Sequence, residues 1–303
     1  NSAMTVWLLV GVVTFVALVY GVITLYVAEL FTRSHRRRVE GTPEVYGLKF
    51  EDVQLLVSDG VILRGWFLDS PGARATVILI HDSKGTRADP EIGLLSLQSD
   101  YVRRGFNVFA FDLRGRGESS AARDHLGSTE QRDVAVAMAY VRGRVMGLPL
   151  ILHGFGLGGS LAISTVAAGA SADAVIADSP ASSAREQLQV RWHHIPNWLF
   201  TSACWLACRI YHADVNVLVP QRAINDVGAT PVLLVHGTAD SEVPVAQTLN
   251  MVASTLNEGV EMWIVDGGEH CRTYRDDPDR YFARCLGFID EAVPRRVFVT
   301  AAG

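Results

Sequence analysis

Cysteine is scarce in this chain, and the few present form no recognisable pattern. Cys204, Cys208, Cys271 and Cys285 have neither the paired spacing of a metal site nor the density of a disulfide framework. Cys204 and Cys208 lie one helical turn apart and read as packing residues, and free thiols fit a cytoplasmic domain. A surplus of charge is also missing. The net formal charge is −5, so the chain carries no nucleic-acid footprint. No internal repeat or low-complexity tract interrupts it, and 303 residues suit one large α/β domain with an appendage. Between Met4 and Phe31 the only ionisable acid or base is Glu29.

That charge-free stretch is long enough to span the hydrocarbon of a bilayer. A secretory signal would need a basic start, a shorter apolar run and a small-residue cleavage site. Here no Lys or Arg precedes the run, so residues 4–31 read as an uncleaved anchor. Arg33, Arg36, Arg37 and Arg38 follow directly, and the positive-inside rule then puts the globular domain in the cytoplasm. Asn1-Ser2-Ala3 reads as an expression scar before a natural start at Met4. Residues 32–47 read as a basic juxtamembrane linker, 48–293 as the folded domain and 294–303 as a tail.

Within the domain, residues 50–57 and 61–68 flank Ser58-Asp59-Gly60 and predict a hairpin. Apolar runs then begin at residues 75, 108, 148, 174, 232 and 262. They alternate with helical stretches at 91–104, 128–144, 157–168, 244–257 and 278–292. Continuous apolar strands separated by helices predict a mainly parallel sheet covered on both faces, with an antiparallel start. Residues 182–226 break this rhythm. They hold no strand candidate but many aromatics, among them Trp192, Trp198, Phe200, Trp205 and Tyr211. The segment predicts either a helical lid or a core-packing excursion, with lipid docking beside the anchor a further use.

Ligands of open α/β sheets bind outside the carboxyl ends of the strands. Three such ends carry chemistry. One strand leads into His153-Gly154-Phe155-Gly156-Leu157-Gly158-Gly159, a glycine-crowded turn into a helix. The next two lead into His236-Gly237-Thr238-Ala239-Asp240 and Asp266-Gly267-Gly268-Glu269-His270. An acid followed one strand later by a histidine is the order of the α/β-hydrolase triad. His81, His153 and His236 also end strands and read as packing or pocket-wall residues. The segment from Asp112 to Ser119 reads as a structural turn.

On these pieces, together with Ile80-His81, Asp112-Leu113-Arg114-Gly115-Arg116-Gly117-Glu118-Ser119 and Asp178-Ser179-Pro180, the chain resembles the membrane-anchored α/β hydrolases of the Bem46-like or ABHD-type serine hydrolase group. The resemblance runs from about residue 50 to 292. It implies an α/β-hydrolase fold, an eight-stranded mainly parallel sheet with a helical lid, behind one transmembrane helix. It also implies that Asp240 orients His270, that His270 acts as general base, and that the N–H groups of Ser83 and Leu157 form the oxyanion hole. The ligand expected is a small apolar acyl-type group or ester, with the bilayer as partner of the N-terminal helix and no cofactor or metal.

Two positions depart from the family pattern. Its elbow reads G-x-S-x-G, whereas this chain has Gly154-Phe155-Gly156-Leu157-Gly158, with glycine at the nucleophile position. His81-Asp82 stands where the family usually has His-Gly. Glycine closes the acyl-enzyme route, and Ser160, a turn further on, should face into the packed helix. Gly156 then reads as a laboratory inactivation, as a natural pseudoenzyme that binds without turnover, or as a site where His270 and Asp240 activate water directly. The expectation is background ester hydrolysis, raised by orders of magnitude in Gly156→Ser. Gly154, Gly156 and Gly159 also spell the dinucleotide fingerprint G-x-G-x-x-G, with Asp178 as the ribose-binding acid. That rival places the fingerprint unusually late in the sheet and leaves Asp240 and His270 without a role.

Overall fold

The computed structural model describes residues 2–293. Its first element is helix α1 (Ser2–Phe31), which is long and apolar enough to cross a membrane. Thirty residues rising about 1.5 Å each extend about 45 Å. Up to residue 23 the side chains are exposed all round. Thr24, Val27, Ala28 and Phe31 are then buried, at the spacing that puts side chains on one helix face. That face meets the folded domain.

A hairpin follows. Strands β1 (Glu51–Leu56) and β2 (Ile62–Leu68) pair antiparallel, with Leu56 opposite Ile62. The turn holds Gly60 at φ +85°, a conformation that side chains other than glycine's resist. Alternating βα units come next: β3 (Ala75–Ile80), α2 (Leu94–Arg103), β4 (Phe106–Asp112), α3 (Glu130–Arg144), β5 (Leu150–Phe155), α4 (Leu157–Ala167) and β6 (Ala174–Asp178). The insertion contains α5 (Ala184–Arg191), α6 (Asn197–Tyr211) and α7 (Pro220–Ala223). The chain closes with β7 (Val232–Gly237), α8 (Val245–Ser254), β8 (Val260–Val265), α9 (Thr273–Asp276) and α10 (Pro278–Ala292).

The eight strands lie in the order β1-β2-β4-β3-β5-β6-β7-β8. β1–β2 and β2–β4 are antiparallel and the remaining pairs are parallel. β3, β4, β5, β6 and β7 are buried along their whole length, because helices cover both faces of the sheet. One core joins the sheet to α3, α4 and α8; the other joins it to α2 and α10. The strands run one to three residues beyond the apolar runs, through Asp112, His153, Asp178 and His236. Parallel neighbours satisfy their backbones whatever the side chain, and these polar side chains all find buried partners.

Strand order reverses around β3, which sits between β4 and β5. Connections leave in opposite directions there and open a crevice at the carboxyl edge. Ile80 pairs with Gly154, so the loops after β3 and β5 meet at that crevice.

The insertion at 182–226 is helical, with no strand among its described residues. Its longest helix, α6, packs against α1 and forms a third core with Phe31, Leu199 and Phe200. The Tyr20 hydroxyl donates to Ser202 Oγ at 2.6 Å, and the Tyr20 ring lies tilted against Trp198 with centroids 5.6 Å apart. The segment after α1 also packs on the domain. Ser34 Oγ donates to the Gly115 carbonyl at 2.6 Å, and Arg36 donates to the carbonyls of Gly117 and Ser119.

Candidate active site

Gly156 stands between β5 and α4 at φ +53° and ψ −113°. This is the sharp strand-to-helix turn that pushes the residue at its tip into the crevice. Its neighbours explain the glycine crowding. A Cβ at Gly154 would strike the Gly158 backbone, and one at Gly158 would strike the backbone of Ile80 and His81. The elbow geometry is therefore present without the nucleophile.

Asp240, just past β7, and His270, just past β8, come together as expected: His270 Nδ1 lies 2.7 Å from Asp240 Oδ2. The other Asp240 oxygen accepts the N–H groups of Glu242 and Val243 at 2.9 and 2.8 Å. Burial would raise the Asp240 carboxyl, but hydrogen bonds from His236 and His270 hold it well below the usual carboxylate range. His236, read from the sequence as a packing residue, does more than fill space. Its Nε2 lies 2.8 Å from the Val243 carbonyl and 3.3 Å from Asp240 Oδ2, and its Nδ1 lies 2.7 Å from Thr248 Oγ1. It holds the acid in place. The signal in the sequence was its position four residues before Asp240.

The two proposed oxyanion donors are where the sequence put them, but they are occupied. Leu157 N–H donates to Asp82 Oδ1 at 2.9 Å, and the Ser83 main chain also hydrogen-bonds the Asp82 carboxylate. Ser83 Oγ lies 3.2 Å from Asp82 Oδ2, and His270 Nε2 lies 3.8 Å from the same oxygen. Asp82 thus lies across the centre of the site. In the sequence, Asp82 stands out only as a departure from the family pattern. A Cβ at Gly156 would overlap the Asp82 carboxylate, with Asp82 Cγ only 2.6 Å away. Gly156→Ser alone would therefore have to displace the Asp82 carboxylate before the new side chain could project into the crevice.

Charges follow from this placement. Burial would raise the Asp82 carboxyl. His270 and the N–H groups of Leu157 and Ser83 outweigh it and keep the group ionised far below its ordinary range. Burial would lower the His270 imidazole, yet its pKa is raised well above the ordinary value by Cys271, Asp240 and Asp82. Burial pushes the Cys271 thiol far up, so at neutral pH that neighbour is uncharged and the two carboxylates are the effective cause. His270 is thus an imidazolium held between two acids. As it stands it can donate a proton but cannot accept one.

His81 supports this arrangement. Its Nε2 accepts Leu113 N–H at 3.0 Å, so its Nδ1 carries the hydrogen and donates to the Asp82 carbonyl at 2.7 Å. Arg116 reaches beyond its own turn: it donates to the Ser83 carbonyl at 2.5 Å and pairs with Asp124 at 2.7 Å. Ser160 is spent inside its helix, donating to the Gly156 carbonyl and accepting Ala181 N–H.

The dinucleotide rival finds no support at the helix N-terminus. The Leu157 N–H that a pyrophosphate would need is taken by Asp82. The Asp178 side chain is fully buried, accepts from Ser179 Oγ, and is pushed up to about 6 by burial. Among the described residues, no group of His, Cys, Asp or Glu is arranged to hold a metal.

A cleft of about 370 Å³ opens beside Asp82 and His270, and charged side chains including Lys84, Asp89, Glu91 and Glu242 line it. On the other side of Ser83 and Leu157 a smaller hollow has an apolar wall of Leu126, Leu157 and Leu188. Helix α5 covers that hollow, and Arg191 from it donates to Ser83 Oγ at 3.2 Å.

Known proteins share this fold. Residues 94–223 match the family described as "Serine aminopeptidase, S33". The uncharacterized protein YfhR of Salmonella typhi is 29% identical over 261 residues, covering 77% of this chain and 82% of that protein. The lysophosphatidylserine lipase ABHD12 of Danio rerio is 28% identical over 192 residues, covering 59% of this chain and 47% of that one. An esterase structure from Pyrococcus furiosus superposes with a TM-score of 0.70 at 22% identity, covering 86% of this chain and 98% of that one. With the sheet order, these likenesses show an α/β-hydrolase fold with ABHD-like relatives and support a place in that superfamily.

Proposed function

We propose that this chain is a membrane-anchored α/β-hydrolase-fold protein of the ester hydrolase type in which the serine acyl-enzyme route is closed. Its domain faces the cytoplasm, and its site receives a small apolar, ester-like ligand. Helix α1 supports the anchor and the arginines after it support the orientation. The Asp240–His270 pair and the retained elbow support the lineage. One observation carries the closure: the Asp82 carboxylate fills the volume of a Gly156 side chain while binding Leu157 N–H and facing His270.

The fit between Gly156 and Asp82 favours a natural pair over a laboratory inactivation, since a serine at 156 would collide with the aspartate. Direct activation of water by His270 requires a neutral imidazole, which two flanking carboxylates oppose. A binding role without acyl turnover is the reading that remains for esters. The test uses the full chain in detergent, a fluorophosphonate probe and p-nitrophenyl esters of several chain lengths. No covalent labelling and background ester hydrolysis are expected. Stoichiometric labelling, or turnover at a serine-hydrolase rate, would refute the closure.

A further inference from the structure

We propose that Asp82 is itself a nucleophile, and that the site opens strained cyclic ethers by forming an alkyl ester on Asp82 Oδ2, which His270 and Asp240 then help water to hydrolyse. The inference rests on the closure of the serine route argued above and goes beyond it to a different reaction. Its basis is the placement of Asp82. Oδ1 is held by Leu157 N–H at 2.9 Å. Oδ2 is directed to the side where His270 Nε2 lies, 3.8 Å away. The residue lines the open charged cleft, which gives an incoming group access to that oxygen. His270 Nε2 is buried and has no hydrogen-bond partner among the described residues, so its proton is available to a third group in the cleft.

This arrangement selects the electrophile. An acyl carbon is a poor target, because its carbonyl oxygen would need the N–H groups of Leu157 and Ser83, and Asp82 already uses them. Attack at a saturated carbon develops no oxyanion and needs no such hole. The leaving atom must instead be able to take a proton, since His270 offers one at the same point. An epoxide is the neutral group that meets both conditions: its ring strain drives opening and its oxygen accepts the proton.

The steps balance. A lone pair on Asp82 Oδ2 forms a bond to one ring carbon while that carbon's bond to the ring oxygen breaks. The ring oxygen takes the proton from His270 Nε2. The products are a hydroxyalkyl ester on Asp82 and a neutral His270. Esterification removes one of the two negative charges that kept His270 protonated, so the imidazole can now serve as a base. It takes a proton from water as the water oxygen attacks Asp82 Cγ. The resulting oxyanion is Oδ1, already bound to Leu157 N–H. Collapse expels the alkoxide, which takes that proton back as the diol leaves. A further proton, released when the water-derived hydroxyl on Cγ becomes carboxylate, restores the imidazolium. The sum is epoxide plus water giving a vicinal diol.

The test is a single turnover in heavy-oxygen water with the full chain in excess over styrene oxide or the cis-epoxide of oleic acid. The expected diol carries ordinary oxygen from Asp82, and the peptide containing Asp82 gains the mass of one heavy-oxygen exchange. Asp82→Asn should form diol about 10⁶-fold more slowly, the cost of losing a nucleophile in a serine protease. Heavy oxygen in the first-turnover diol with an unlabelled Asp82 peptide would mean direct attack by water and would overturn the proposal. So would the absence of diol from the folded wild-type chain with both substrates. Neither result bears on the serine closure, which only fluorophosphonate labelling or ester turnover can refute.

Discussion

Restoring a serine nucleophile should require two replacements, Gly156→Ser together with Asp82→Gly. In Gly156→Ser alone the new Cβ overlaps the Asp82 carboxylate, whose Cγ lies 2.6 Å away. The carboxylate can yield only by leaving Leu157 N–H. Overpacking costs about 1–3 kcal/mol, and a hydrogen bond to a charged group is worth about 1.5–3 kcal/mol. The single variant should therefore melt earlier and gain no esterase activity. Removing Asp82 clears the Cβ position and frees the Leu157 donor, worth about 10²–10³ in rate at an oxyanion hole. It also removes a charge 3.8 Å from His270 Nε2. At an effective dielectric near 20 that attraction is about 4 kcal/mol, and without it the imidazole sheds its proton more readily and can act as base. A general base contributes about 10²–10⁴. The double variant should then hydrolyse p-nitrophenyl acetate at least about 10⁴-fold faster than Gly156→Ser, the product of the lower ends of those two contributions, and faster than Asp82→Gly, which has no serine to acylate. It should also take a fluorophosphonate label at residue 156. Two results would refute the reasoning: equal activity in Gly156→Ser alone, or an inert double variant with wild-type circular dichroism and a cooperative melt.

Further predictions follow from the same contacts. His270 has a raised folded pKa, so the stability it confers is complete below about pH 6.5, its ordinary value, and is lost as pH rises through the folded value. Asp82 has a depressed one, so its contribution is present above about pH 3.8 and lost on acidification. Urea titrations across pH should show both flanks in the wild type, and Asp82→Asn should start the alkaline decline at lower pH. Arg116→Met leaves Asp124 and the Ser83 carbonyl without their buried partner, and chemical denaturation should register a loss of about 3–5 kcal/mol. His236→Ala should weaken the hold on Asp240, which the double variant above would report as a roughly 10-fold lower kcat with little change in KM. Met146 is 86% exposed, and a cysteine placed there in sealed membrane vesicles should react from the cytoplasmic side; labelling only from the opposite side would reverse the orientation.

The sequence carried the architecture because apolar period and turn chemistry are local. Asp59-Gly60 set the hairpin, the continuous runs at 75–80 and 232–235 marked buried parallel strands, and α10 begins and ends where its pattern did. Strand ends were less legible. His153, Asp178 and His236 continue their strands although polar, since neighbouring strands and buried partners satisfy them. The insertion was legible as helical, but not that α6 packs on α1 while α5 caps the hollow beside Leu157. That choice depends on which faces meet, and one helix's composition does not state it.

The site divides in the same way. Asp240 and His270 could be picked out from the sequence because each follows a strand in the acid-then-histidine order, whereas Leu157 and Ser83 came only from what the family resemblance implies. The absence of a serine at 156 could also be read directly. What Asp82 does with that vacancy could not. It lies 74 residues away along the chain, since 156 − 82 = 74, and only the pairing of β3 with β5 brings its carboxylate against Gly156, Leu157 and His270. The sequence by itself determined the fold, the acid–histidine pair and the missing nucleophile. The tertiary structure decided that a second carboxylate occupies the gap, because a glycine's empty volume has chemical meaning only once its neighbours in space are known.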